Sequence, residues 1–94
     1  MSDPVTDNPA ASRFELALGA DTAFVSYRRA GSVLVLTHAE VPAHLAGRGV
    51  GSRLVAGVLD LVRARGERVV PACPFVARFV ELHPAYRDLL AAAT

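Results

Sequence analysis

At 94 residues and a formal net charge of +1, the chain is long enough for one small domain around one core, and it lacks the concentrated basic face of a nucleic-acid binder. Hydrophobic residues make up 52% and aromatic residues 6%, so the core rests largely on Ala and Val, and no apolar run is long enough to cross a bilayer. Every cationic side chain is arginine, so the chain has no lysine of its own to acylate, and Cys73 as the single cysteine excludes an internal disulfide or a cysteine-cluster metal site. His38, His44 and His83 are not spaced as zinc ligands. Met1-Ser2-Asp3-Pro4 opens neither a basic nor an apolar targeting region, which makes a cytoplasmic location the default expectation.

Residues 1–12, with Pro4, Asn8 and Pro9, read as a flexible leader before a domain over 13–94. Phe14 to Leu18 alternates and stops at Gly19, as a strand does. Ala23 to Arg29 is a second strand-like run. Arg29-Ala30-Gly31-Ser32 is a turn signal that pairs it with a third run, Ser32 to Val41. In that run Val33-Leu34-Val35-Leu36 is apolar on both faces, the pattern of a central strand covered on both sides. Pro42 closes it, because proline cannot donate to a ladder.

A helix follows to about Arg65, with Val50, Leu54, Val58 and Leu61 recurring at helical steps and Gly66 as its stop. Arg68 to Cys73 is a short strand, parallel to the central one if the crossover is an ordinary right-handed unit. Pro74 opens a second helix whose stripe Phe75, Val76, Phe79 and Val80 reads as core, and Ala85 to Ala92 follows Pro84 as a last helical segment.

Between the third strand and the first helix lies Gly47-Arg48-Gly49-Val50-Gly51-Ser52. Glycines let backbone N–H groups approach an anion closely, and the first turn of the following helix adds unpaired N–H groups and the positive end of its dipole. A Walker loop is excluded because it needs lysine, and a dinucleotide fingerprint needs a third glycine where Ser52 stands. The glycines alone leave two readings open: a diphosphate cradle, or a tight connection that binds nothing.

Val41-Pro42-Ala43-His44-Leu45-Ala46-Gly47-Arg48-Gly49-Val50-Gly51-Ser52-Arg53-Leu54-Val55 resembles the acetyl-CoA-binding segment of the GNAT superfamily of N-acetyltransferases. That family carries Gln/Arg-x-x-Gly-x-Gly/Ala, here Ala46, Gly49 and Gly51, with Ala46 departing from the pattern. Thr37-His38-Ala39-Glu40-Val41-Pro42, Pro71-Ala72-Cys73-Pro74-Phe75-Val76 and His83-Pro84-Ala85-Tyr86 are similar to its small, single-domain YjdJ-type branch.

The resemblance implies an α+β fold layered α/β/α: a mixed, mostly antiparallel sheet with helices on its faces. It also implies acetyl-CoA as cosubstrate, held by Val41, Ala46, Gly47, Arg48, Gly49, Val50, Gly51 and Ser52. The partner would be an amine acceptor, a protein group or a small molecule in an open groove, with the chain a monomer or homodimer and neither nucleic acid nor membrane involved. A free N–H near Val41 could polarise the thioester oxygen.

His38 and Glu40 share one strand face, and either could accept the amine proton; a structural histidine and a solvated carboxylate are the plainer readings. Cys73, before a helix N-terminus, could accept the acyl group, protonate the leaving thiolate or line the channel, or be a small buried hydrophobe. Tyr86 could supply the acid, though packing of its ring against the sheet is the simpler reading. A non-catalytic acyl-CoA-binding or interaction module is the alternative to an active N-acetyltransferase.

Overall fold

A computed structural model describes residues 5–91. Five strands, β1 (Val5–Asn8), β2 (Arg13–Leu18), β3 (Asp21–Ala30), β4 (Val33–Glu40) and β5 (Arg68–Pro71), form one sheet in chain order. The first three pairings are antiparallel and β4–β5 is parallel. Helix α1 (Val50–Ala64) makes the crossover between β4 and β5, and α2 (Pro74–Leu82) follows β5. The mixed, mostly antiparallel α+β architecture is the expected one.

The layering differs from the expectation. Phe14, Leu16, Val25, Leu34, Leu36 and Val69, all of one sheet face, are buried with α1's Leu54, Val55, Val58, Leu59 and Val62 and α2's Val76, Phe79 and Val80. On the opposite face Val33 and Val35 are half-buried and Val70 is exposed. The described residues therefore form two layers, not three, and among them the doubly apolar run of β4 is covered on one side only. Each fully buried Leu or Val contributes roughly 1.5–3 kcal/mol of transfer free energy, so this single interface carries the fold.

Residues 5–12 do not form part of a flexible leader. β1 pairs with β2 from Val5↔Leu16 to Asn8↔Arg13, and Pro9–Ala11 is a 3₁₀ turn capped by the Asn8 side chain. Two local facts explain the pairing: Asp7 accepts the Tyr27 hydroxyl at 2.7 Å, and Val5 sits against Gly57 of α1, where a Cβ would come within 2.4 Å of Val5 Cγ2. Residues 1–4 lie outside the described residues.

The last segment also departs from the expected helix. Pro84–Leu89 is 3₁₀, after which Leu90 bridges beside Val69 and the Ala91 N–H donates to the Val69 carbonyl. The expected end at Ala92 lies outside the described residues.

Candidate active site at the open end of β4

The site begins with a bulge. Tyr27 pairs with Leu36 but Ser26 pairs with His38, so Thr37 is an extra residue in β4, with its hydroxyl donating to the Ser26 carbonyl. An extra residue reverses the facing of everything after it. Leu36 faces the helices; beyond the bulge Ala39 takes that side opposite Val25, while His38 and Glu40 turn to the open face opposite Ser26 and Phe24.

β4 then outruns β5. The last pairing is Leu36↔Pro71, and the Cys73 N–H closes it by donating to the Leu36 carbonyl at 2.8 Å. Thr37 to Glu40 continues with no β5 residue alongside. Where the strands part, a cavity of about 390 Å³ lies between the end of β4, the loop after it and the first turns of both helices.

Val41, Ala46, Gly47, Gly49, Val50, Gly51 and Ser52 line this cavity; Arg48 is exposed and off its wall. Ala39, Leu45 and Phe75 line it too and were not among the expected residues. Gly47 and Gly49 have φ of +80° and +75°, the left-handed region where a side chain is strained. Gly49 is the N-cap of α1 and no side chain caps the helix, so its first N–H groups face the cavity region without an intrahelical acceptor.

His38 Nε2 lies 3.4 Å from Glu40 Oε1, both well exposed, and the His38 ring sits 6.1 Å from that of Phe24. Cys73 is 5% exposed, part of the core, and does not line the cavity; the structure gives it the position of a buried hydrophobe whose backbone makes the last tether of β4 to β5. Tyr86 does not line this cavity. Its hydroxyl donates to Asp60 of α1 at 2.9 Å, and burial together with that acceptor holds its pKa above the usual phenol value.

Phe75 reads differently in the structure. It is 47% exposed, because the buried stripe of α2 runs Val76, Phe79, Val80 and leaves residue 75 to one side. The spacing gave no warning, since 75 and 79 are four residues apart just as 76 and 80 are.

A family profile described as GCN5-related N-acetyl-transferase matches residues 13–89. The chain belongs to the GCN5-related N-acetyltransferase family. Its fold is similar to the NMR solution structure of a GCN5-like protein from Staphylococcus aureus, with a TM-score of 0.71 and 21% identity over 100% of this chain and 94% of that one. None of the curated proteins matches the chain. The profile establishes the family and does not resolve the YjdJ-type branch within it. Family membership makes the chain an acyltransferase by class. Among the described residues no helix is long and apolar enough to cross a membrane.

Proposed function

We propose that the chain transfers an acetyl group from acetyl-CoA to an amine that approaches across the open face of the sheet. The observation that carries this reading is the parting of β4 and β5 beyond Leu36, with the glycine-lined cavity on one side of the gap and His38 and Glu40 on the other.

The cavity suits the cosubstrate. A Cβ at Gly47 or Gly49 would stand on its wall, the uncapped turn of α1 offers N–H donors to a diphosphate, and Ala39, Val41 and Leu45 offer an apolar wall to the pantetheine arm. Acetyl-CoA supplies the activated acyl thioester. The unpartnered edge of β4 at Thr37 to Glu40 offers backbone donors for oxygen charge developing on the acyl carbon.

On the open face, His38 with Glu40 beside it takes the proton that the amine loses on attack, directly or through water. The C–N bond forms as the thioester C–S bond breaks, and CoA leaves as a thiolate that takes a proton from water. Cys73 acts as a positioning residue through its N–H to Leu36, not as an acyl carrier. Among the described residues no helix covers the acceptor side, which suits a protein terminus, a side chain or a small amine.

Radiolabelled acetyl-CoA with a panel of amine acceptors tests the proposal. His38→Ala and Glu40→Gln should each slow transfer, His38→Ala by about 100-fold, while Cys73→Ala stays within a few-fold of the parent. Parent-like turnover in both His38→Ala and Glu40→Gln would sink the assignment of the proton acceptor. CoA binding with no acceptor acetylated would instead identify a non-catalytic acyl-CoA-binding module.

A further inference from the structure

The open sheet face carries an ordered polar patch beside the end of β4. Strand pairing sets it out in two rows: Arg13, Ser26 and His38 lie side by side in one, Glu15, Phe24 and Glu40 in the other. Phe14 and Leu16 of β2 and Val25 of β3 are buried on the helix side, so Arg13, Glu15, Phe24 and Ser26 alternate away from it. Proton transfer from the amine uses His38 and Glu40. Arg13, Glu15 and Phe24 have no part in it.

One guanidinium in this patch is held from two directions. Arg13 Nε donates to Glu15 Oε2 at 2.6 Å, and the same oxygen accepts from Asn8 of β1 at 3.2 Å. Those hydrogen bonds, with that from Arg13 the larger, hold the Glu15 carboxyl below its ordinary value, so the anchor stays charged. The guanidinium also lies over the Phe24 ring, 4.4 Å from its centroid, and therefore leans from β2 across β3. The His38 ring is 6.1 Å from the same Phe24 ring. Among the described residues the two Nη groups of Arg13 have no acceptor. An exposed ion pair contributes little to stability by itself, whereas a guanidinium ordered in advance loses less freedom when its fork grips an anion.

We infer that Arg13 selects the acceptor: the site takes an amine that also bears a carboxylate, with the nitrogen at His38 and the carboxylate on the Arg13 fork. The inference rests on the transfer reading above, which places the amine at His38. Arg13 and His38 stand two strand spacings apart, roughly 10 Å, and the lean of the guanidinium shortens the gap. Amine and carboxylate are therefore several bonds apart, farther than in an α-amino acid, and the product is the N-acetyl amide with its carboxylate intact. A diamine would bring a like charge to Arg13 and is disfavoured there.

Initial rates with acetyl-CoA and 6-aminohexanoate, hexylamine or 1,6-diaminohexane test the inference on acceptors of matched length. The parent should show kcat/KM about ten-fold higher for 6-aminohexanoate than for hexylamine, with the diamine lowest. Added KCl should shrink that gain, because the contact is exposed to screening. Arg13→Gln should bring 6-aminohexanoate down to the value for hexylamine, and Arg13→Lys, which keeps the charge without the fork, should retain part of the preference. Thermal melts and CoA titration check that each variant is folded and holds the cofactor. The amidated tripeptides Ala-Glu-Ala and Ala-Gln-Ala form a second arm, in which a preference for the first supports the same site with a protein N-terminus as the source of the amine.

Equal kcat/KM within both arms in the parent overturns the inference and leaves the transfer reading standing. So does a carboxylate preference that survives Arg13→Gln. Acetylation of no amine, with CoA bound, overturns the transfer reading and the inference with it.

Discussion

At its C-terminal end α1 is surrounded by paired side chains. Arg63 donates to Asp88 at 2.7 and 2.9 Å and to the Ala85 carbonyl, and Arg65 reaches Asp7, which also accepts the buried Tyr27 hydroxyl. Glu67, just past the helix, pairs with Arg29 of β3. At its N-terminal end no side chain caps the helix, the two preceding glycines hold left-handed backbone, and a cavity adjoins the first turn. One end pairs its charged side chains within the protein, leaving only Glu67 Oε1 buried without a hydrogen-bond partner among the described residues; the other leaves backbone donors for something else. Substitutions at the first end should therefore move stability and leave binding alone, and those at the second end should move binding.

The largest effect should come from the open end. Gly49→Val places a β-branched side chain at a φ of +75° on the cavity wall, and CoA affinity should fall by about 100-fold, roughly 2.7 kcal/mol. Titration of CoA into the variant measures this, and circular dichroism should show α1 retained. Next in size is Asp7→Ala at the paired end. It leaves the Tyr27 hydroxyl and Arg65 without their shared acceptor and should cost about 2 kcal/mol in urea unfolding. Its CoA affinity should match the parent's. A weakened affinity in Asp7→Ala would break the division between the two ends.

Gly57→Ala sharpens the same comparison from the middle of α1. In an isolated helix the change is favourable by up to about 1 kcal/mol. Here the new Cβ meets Val5 Cγ2 at 2.4 Å and Val5 Cβ at 3.1 Å, so β1 must move and the expected outcome is a loss of about 1–2 kcal/mol. A gain in stability would show that residues 5–8 are not docked on α1.

The failure to foresee β1 has a physical source. Val5-Thr6-Asp7-Asn8 is short, polar and flanked by prolines, and what holds it is distant in sequence: Leu16 and Phe14 by register, Tyr27 and Arg65 through Asp7, and the gap left by Gly57. Local patterning cannot register partners that far away. By contrast α1, β3, β4 and the hairpin turn at Gly31 were legible, because periodicity and turn chemistry are local signals.

The candidate site divides the same way. The cavity-lining residues of the glycine turn stand together in sequence, and seven of the eight expected positions reach the wall. The bulge at Thr37 was not legible, since a register slip shows only against the partner strand. His38 and Glu40 were correctly placed on one face by their spacing, but which face depends on that bulge. Cys73 sits before a helix as expected, and of the readings its position left open the structure gives the buried hydrophobe, with its side chain in the core.

The smallest effects expected are pH dependences at the paired end. Burial first, and then the bond to Asp7, raise the Tyr27 phenol above its ordinary value of 10.0. The folded chain keeps that proton where the unfolded chain releases it, so this stability is full below pH 10 and declines as pH rises through the folded value. Tyr27→Phe should cost about 1 kcal/mol at neutral pH and flatten the alkaline decline in a series of urea melts, while Tyr86, raised by burial and by Asp60, keeps the remainder.

On the acid side the sign reverses. The hydrogen bonds from Arg63 hold the Asp88 carboxyl below its ordinary 3.8, and those from Arg13 and Asn8 hold Glu15 below 4.5. Their contributions are present above those values and fade as pH falls through the lower folded ones. Asp88→Asn should thus leave stability at neutral pH almost unchanged, because an exposed pair is screened by water, and should make the decline below about pH 4 shallower. A parent-like acid decline in Asp88→Asn, with CoA affinity unaltered, would place the acid sensitivity at Glu15 on the open sheet face and remove the C-terminal end of α1 from the titration.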